Sequence, residues 1–232
     1  MDFPKPNMLF MRFLHDVLGT IFRVYFRLRC NNINRIAKEV ISRQRPVIVI
    51  FNHTSILDVI LISWCVDLSV IRQVTFPGKK ELFEDKRFSW FVNLTGAIPL
   101  DRDITDITAV KTLFQALKAG RVLALAPEGT RTLDGQIQPF KMGFIKLAHK
   151  TNALILPIAI RGGFEAMPKG SILPKPKKIE LVAGDVVDTQ DYLDKRPSAE
   201  EYEAFLEQLR QMMIQLKETG KSCAETEPAP TV

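Results

Sequence analysis

Within VIVIFNHTSILDVILIS, residues 47–63, His53 and Asp58 stand between an apolar run that reads as a strand and another that reads as a helix. A regular helix does not align residues five apart, but the bend from strand to helix can, with Thr54 or Ser55 capping the helix. A carboxylate bonded to one ring nitrogen fixes an imidazole's tautomer and steadies its protonated form. The other nitrogen can then take a proton from a hydroxyl. The chemistry on offer is a general base acting on an alcohol. The same spacing also serves a structural contact, so the pair alone does not establish a role. Of the rival nucleophiles, Ser55 suits a helix cap, and Cys65, inside VILISWCV, suits a buried small hydrophobe. No metal is expected, because the histidines are His15, His53 and His149 and no Cys–His spacing supports zinc.

A second group could hold an anion. APEGTRT, 126–132, reads as a turn after the strand RVLALA; its Gly129 lets backbone approach a ligand and its Arg131 projects from that edge of the sheet. The plainer reading is a turn with a surface arginine. Arg102 offers another guanidinium fork, suited to phosphate, against the alternative of a loop ion pair with Asp101 or Asp103. Lys79 and Lys80 in PGKKEL can add anion contacts or simply open a solvated helix.

The elements that must position these residues are legible as short β-branched runs alternating with helical stretches. Strands are expected at 46–51, 70–76, 96–100, 121–126, 153–160 and 178–184. Such alternation predicts an α/β fold with a largely parallel sheet flanked by helices, whose ligands gather at the carboxyl ends of the strands. Helices are expected over 107–120, ending at Gly120, and from Ser198, where Glu201 three residues on completes a capping box. With 232 residues, 46% of them hydrophobic, one large domain is expected over 46–218, with a polar, Pro-containing tail, 219–232, left disordered. No internal repeat and no Walker or dinucleotide glycine pattern is present.

Charge is unevenly placed. Residues 1–45 hold nine basic against three acidic residues, which accounts for the whole formal net charge of +6. There Phe10, Phe13, Leu14, Val17, Ile21, Val24, Tyr25 and Leu28 recur at helical spacing, opposite a stripe of Arg12, Asp16, Thr20, Arg23 and Arg27. Residues 1–45 are expected to form basic amphipathic membrane-docking helices that meet an anionic surface through residues 1–30, the rival being a surface helix packed on its own domain. Nucleic acid is not an expected partner, since no recognition motif accompanies the charge. Charges interrupt the apolar N-terminus and no cleavage site follows, so neither a signal peptide nor a spanning helix is expected. Cys30, Cys65 and Cys223 match no disulfide or metal spacing, which predicts no structural disulfide and a reducing compartment.

NHTSILD (52–58), GAIPLDR (96–102), APEGTRT (126–132) and LPIAI (156–160) occur in that order, and together they resemble the four sequence blocks of the glycerolipid acyltransferase family over about residues 46–185. Ala126 and Thr132 are mild departures, at positions where an aromatic residue and a serine are frequent. The resemblance implies transfer of a fatty acyl chain from acyl-CoA or acyl carrier protein to the 2-hydroxyl of 1-acylglycerol 3-phosphate (lysophosphatidic acid), giving phosphatidic acid, with no cofactor. It makes His53 the base and Asp58 its partner. Arg102, Glu128, Gly129, Thr130 and Arg131 fall at the glycerol-phosphate end, to which Lys80, outside the blocks, is added as a candidate phosphate contact on its charge alone. A lyso-ornithine lipid or glycerol 3-phosphate is the alternative acceptor, and a non-catalytic lipid-binding module the alternative class. A peripheral or monotopic enzyme on the cytoplasmic face of a membrane is the expectation that follows.

Overall fold

The five residues of VIVIF are all buried, which a strand achieves only when both faces of its sheet are covered. The structure, a computed structural model, describes residues 5–86, 89–100 and 107–221. Among these, the strands are β1 (Arg29–Asn31), β2 (Val47–Phe51), β3 (Val74–Thr75), β4 (Pro77–Lys79), β5 (Ile98–Leu100), β6 (Val122–Leu125), β7 (Leu154–Arg161), β8 (Glu180–Ala183) and β9 (Val187–Asp188). The main sheet runs β1-β8-β7-β2-β6-β3, with β9 also paired to β7. Pairing is parallel except where β8 and β9 meet β7. Alternation along β2 feeds two cores: Val47, Val49 and Phe51 face one, Ile48 and Ile50 the other.

The first core is covered by the helices Ile33–Ser42 and Asp58–Trp64 and by N-terminal residues that include Met11 and Phe26. The second is covered by Ile107–Lys118, Met142–Thr151 and Ala199–Thr219. The last of these opens on the expected capping box, Ser198 Oγ accepting from the Glu201 N–H at 3.2 Å and Glu201 accepting from the Ser198 N–H at 2.6 Å. Pro157 is tolerated inside β7 because it falls between the residues paired with β9 and those paired with β8.

Several expectations need correction. Over 70–76 only Val74–Thr75 pairs as a strand, because Leu68–Ile71 forms a helical turn that buries Val70 and Ile71 in the first core; burial overrides their β-branched preference. Ile98–Leu100 leaves the main sheet and pairs with Pro77–Lys79 as a separate parallel ribbon. Residues 29–42, grouped by charge with the N-terminal segment, supply a strand and a helix to the main sheet and its core. In the expected tail, Thr219 still ends the last helix and Gly220 caps it, while 222–232 lie outside the described residues.

The N-terminal segment is helical from Met8 to Tyr25, widening to a π turn over Leu14–Leu18. Its apolar residues do not form the single stripe expected. Phe10, Leu14, Phe22 and Leu28 pack on the first core, whereas Leu9, Phe13, Val17, Ile21 and Val24 are exposed, Leu9 at 81% and Val24 at 76%. The arginine stripe is also divided. Arg12 pairs with Asp16 at 3.4 Å, and Arg23 donates to the Trp64 carbonyl. Among the described residues no helix is long and apolar enough to cross a membrane.

Cys30 and Cys65 form a disulfide, against the expectation of none. They are 35 residues apart in sequence, but β1 and the end of the helix Asp58–Trp64 bring their Cα atoms to 5.4 Å, within the reach of a bridge. The reducing-compartment reading therefore loses its support. Cys65 is buried as expected, though as half of a cystine rather than as a free thiol. Cys223 lies outside the described residues.

Candidate functional site

β2 ends at Phe51, and residues 52–57 make the turn that the spacing requires. Asp58, fully buried, is the first residue of its helix, and its carboxylate turns back over that turn. Oδ2 accepts from the Thr54 N–H at 2.8 Å and the Ser55 N–H at 2.9 Å, while Oδ1 accepts from the Thr54 hydroxyl at 2.8 Å. Contrary to the expectation that Thr54 or Ser55 would cap the helix, neither does, and Leu57 stands at the cap position with no side-chain bond. The aspartate gathers their amides instead, and Ser55 Oγ accepts only from the Leu57 N–H at 3.1 Å. Negative charge at a helix start is favoured by the N–H groups there.

His53 Nδ1 lies 2.9 Å from Asp58 Oδ2, with the His53 side chain 21% exposed. An ionised carboxylate only accepts, so Nδ1 carries the proton and the unshared pair is on Nε2. The pair thus meets through the strand-to-helix bend, and the ring's edge reaches solvent.

Glu128 stands where the sequence grouped it with substrate contacts, but the structure gives its oxygens another task. Oε1 accepts from the His53 N–H at 2.7 Å, and Oε2 from the Gln138 N–H at 2.9 Å. A side chain from the turn after β6 thus pins the histidine's backbone across 75 residues of sequence. Burial pushes the Glu128 carboxyl above its ordinary value, with the two N–H bonds pulling the other way. The next strand of the tie is the Thr132 N–H, which donates to the His53 carbonyl at 2.8 Å. Glu128→Gln keeps one acceptor and turns an amide toward the other N–H. Leaving that buried donor unmet is expected to cost about 1–3 kcal/mol, read as a shift in the urea midpoint at unchanged slope.

Gly129 adopts φ +74°, a conformation that L side chains rarely take, so the turn favours glycine, with the Lys141 side chain lying over it. Arg131 is half-buried and Thr130 exposed in that turn, next in sequence to the Thr132 amide that holds His53. Arg102 lies outside the described residues. Lys80 is exposed at a helix start with its ammonium 3.9 Å from Glu84.

Asn52 was not singled out by sequence reasoning, and Thr54 was read only as a helix cap. Buried Asn52 clamps β7 from both sides, its Nδ2 donating to the Ile160 carbonyl at 3.0 Å and its Oδ1 accepting from the Ile160 N–H at 2.7 Å. Thr54 is held close to the following turn, since a Cβ on Gly163 would stand 2.4 Å from its hydroxyl. Only the position of Asn52 beside His53 could have drawn attention to it.

A His–Asp pair at the carboxyl end of a central parallel strand, beside an arginine-bearing turn, is an arrangement for acid–base work on a bound anion. Residues 32–161, more than half of the chain, match the acyltransferase family model, and the chain belongs to that family. It is 31% identical over 132 residues to the 1-acyl-sn-glycerol-3-phosphate acyltransferase BAT2, chloroplastic, of Brassica napus, covering 56% of this chain and 37% of that protein. It is 28% identical over 180 residues to the 1-acyl-sn-glycerol-3-phosphate acyltransferase of Bacillus subtilis, covering 78% of this chain and 85% of that one. The chain therefore spans little more than a third of the plant relative and most of the bacterial one. Its fold is similar to that of the 1-acyl-sn-glycerophosphate (LPA) acyltransferase PlsC from Thermotoga maritima, with a TM-score of 0.62 and 24% identity over 90% of this chain and 94% of that one.

Proposed function

We propose that this protein moves a fatty acyl chain from the thioester of acyl-CoA or acyl carrier protein to the 2-hydroxyl of 1-acylglycerol 3-phosphate, giving phosphatidic acid. The observation that carries the reading is the His53–Asp58 contact, which holds the ring in the tautomer that presents a basic Nε2. The names of the relatives support the acceptor. Nε2 takes the hydroxyl proton as the oxygen attacks the thioester carbonyl, and the buried carboxylate steadies the imidazolium that forms. Collapse of the tetrahedral intermediate expels the thiolate, which receives the proton from the imidazolium. Donors for the oxyanion come from the turn after β6. There the Gly129 N–H is bonded to the Ala126 carbonyl and the Thr132 N–H to His53, so the Thr130 and Arg131 amides are the candidates.

Arg131 and Arg102 are assigned to the acceptor phosphate, for which a planar fork of donors is suited. Incubating the purified protein with labelled acyl-CoA and acyl carrier protein donors against a panel of lyso-acceptors tests the reading directly; turnover confined to phosphate-free acceptors would sink it. Arg131→Ala is expected to raise the Michaelis constant for lysophosphatidic acid at least ~10-fold and leave that for the donor nearly unchanged, as loss of a charge-assisted fork implies. Equal loss for both substrates would count against the phosphate role.

Membrane contact falls to the exposed stripe Leu9, Phe13, Val17, Ile21 and Val24, whose spacing of three or four residues keeps it on one side of the N-terminal helices. With Arg23 donating to the Trp64 carbonyl, Arg12, Arg27 and Arg29 are left to meet anionic headgroups, as on the cytoplasmic leaflet, Arg12 from an exposed pair with Asp16. Deleting the segment would also strip Met11 and Phe26 from the core, so point changes make the cleaner test. Phe13, Val17 and Ile21 changed together to serine should lower vesicle flotation by at least ~10-fold, since each buried side chain of this size is worth about 1.5–3 kcal/mol. Unchanged flotation would assign docking to another surface.

A further inference from the structure

The connection from β7 to β8 carries features that neither the fold nor the acyl-transfer site uses. Ile172 and Leu173 are 90% and 78% exposed, the adjacent pair standing clear of both cores. They lie in MPKGSILPKPKKI, 167–179, which holds Lys169, Lys175, Lys177 and Lys178 and no acidic residue. Among the described residues none of these lysines has an ion-pair partner.

The place of this segment is fixed at both ends. Because β7 runs parallel to β2, the connection departs from the same edge of the sheet as His53, and Gly163 at its start packs against Thr54. At its far end the Tyr25 hydroxyl donates to the Pro174 carbonyl at 2.7 Å. The Ile179 N–H donates to the Phe26 carbonyl at 3.0 Å, and the Ile179 carbonyl accepts from the Arg29 N–H at 3.0 Å. The exposed aliphatic pair is therefore joined to the carboxyl end of the helical stripe that finishes at Val24.

We infer that residues 169–178 are a second lipid-contacting element, with Ile172 and Leu173 entering the acyl region of an anionic membrane and the four lysines at the level of its phosphates. The inference rests on the docking role proposed for the N-terminal stripe. Two aliphatic side chains are far too little for a protein partner, whose stable interfaces bury roughly 1,200 Å² or more. Lipid contact accumulates side chain by side chain and rewards lysines around an apolar tip. A helix lying alone on a bilayer is free to roll about its axis. A second contact at one end stops the roll and sets the sheet edge that holds His53 toward the lipid.

The test compares full-length protein with two loop variants, Ile172→Ser with Leu173→Ser, and Lys169, Lys175, Lys177 and Lys178 all changed to glutamine. Flotation uses phosphatidylcholine vesicles with and without phosphatidylglycerol. Each variant should bind the anionic vesicles at least ~10-fold more weakly, the lysine variant with a flatter salt dependence, while turnover of a soluble short-chain acceptor stays at the parent level. Loop variants that float like the parent overturn the inference. In that event, loss of binding by the Phe13, Val17 and Ile21 serine variant leaves helix docking standing, and its unchanged flotation removes both readings together. Ile172→Trp supplies a check that does not depend on loss of binding: brominated acyl chains should quench its added emission, and emission unquenched on bound vesicles refutes insertion.

Discussion

His53→Ala is expected to lower turnover by about 10²-fold to 10⁴-fold, the usual loss on removing a general base, while leaving a folded chain. The fold should tolerate the change because what Glu128 and Thr132 hold is the backbone of residue 53, its N–H and carbonyl, and these bonds survive in alanine. The ring is partly exposed and packs edge-on against Phe51, so its loss should lower the melt modestly without unfolding the chain. Single-turnover acylation of lysophosphatidic acid, run beside a thermal melt, separates the two effects. A variant that melts like the parent and turns over at a near-parent rate would end the proposed mechanism.

Asp58→Asn should approach the same loss by a different route. An asparagine oxygen can occupy the Oδ2 position and keep accepting from the Thr54 and Ser55 amides, with its NH₂ toward the Thr54 hydroxyl, which can also accept. The turn then survives, but the charge that steadies the imidazolium is gone. Because that oxygen also faces His53 Nδ1, the tautomer is kept, and the loss measures the missing charge alone. Asp58→Ala should add a stability defect, because three buried donors lose their acceptor at about 1–3 kcal/mol each if nothing replaces it. Activity in the asparagine variant within a few-fold of the parent would reduce Asp58 to a residue that shapes the turn.

How much of this was legible in the sequence divides by the range of the interaction. Strands buried on both faces, such as VIVIF and LILPIAI, announce themselves as unbroken apolar runs, and the capping box of Ser198 and Glu201 is local by definition. The His53–Asp58 contact was readable for the same reason, since it spans five residues. Val70 and Ile71 misled because their helical turn is imposed by burial against distant elements. The short strands β1, β4 and β9 have no pattern of their own and exist through their partners. Cys30 and Cys65 fit no spacing rule, because the fold rather than the chain brings them together. For Glu128, its block suggested a ligand contact, and only three-dimensional proximity reveals an acceptor turned toward the His53 amide.

That hydrogen bond from residue 53 to Glu128 bears on how a genetic screen of this protein would read. Scored by product alone, inactive alleles at 53 and at 128 would fall into one class and invite one explanation. They should part in a search for second-site suppressors. A missing proton acceptor has no substitute elsewhere in the chain, so alleles at 53 should yield none. A misplaced but intact imidazole can be brought back by changes that stiffen the surrounding turn, so alleles at 128 should yield several. The pattern of rescue, rather than the depth of the defect, would tell the group that moves a proton from the group that holds it in place.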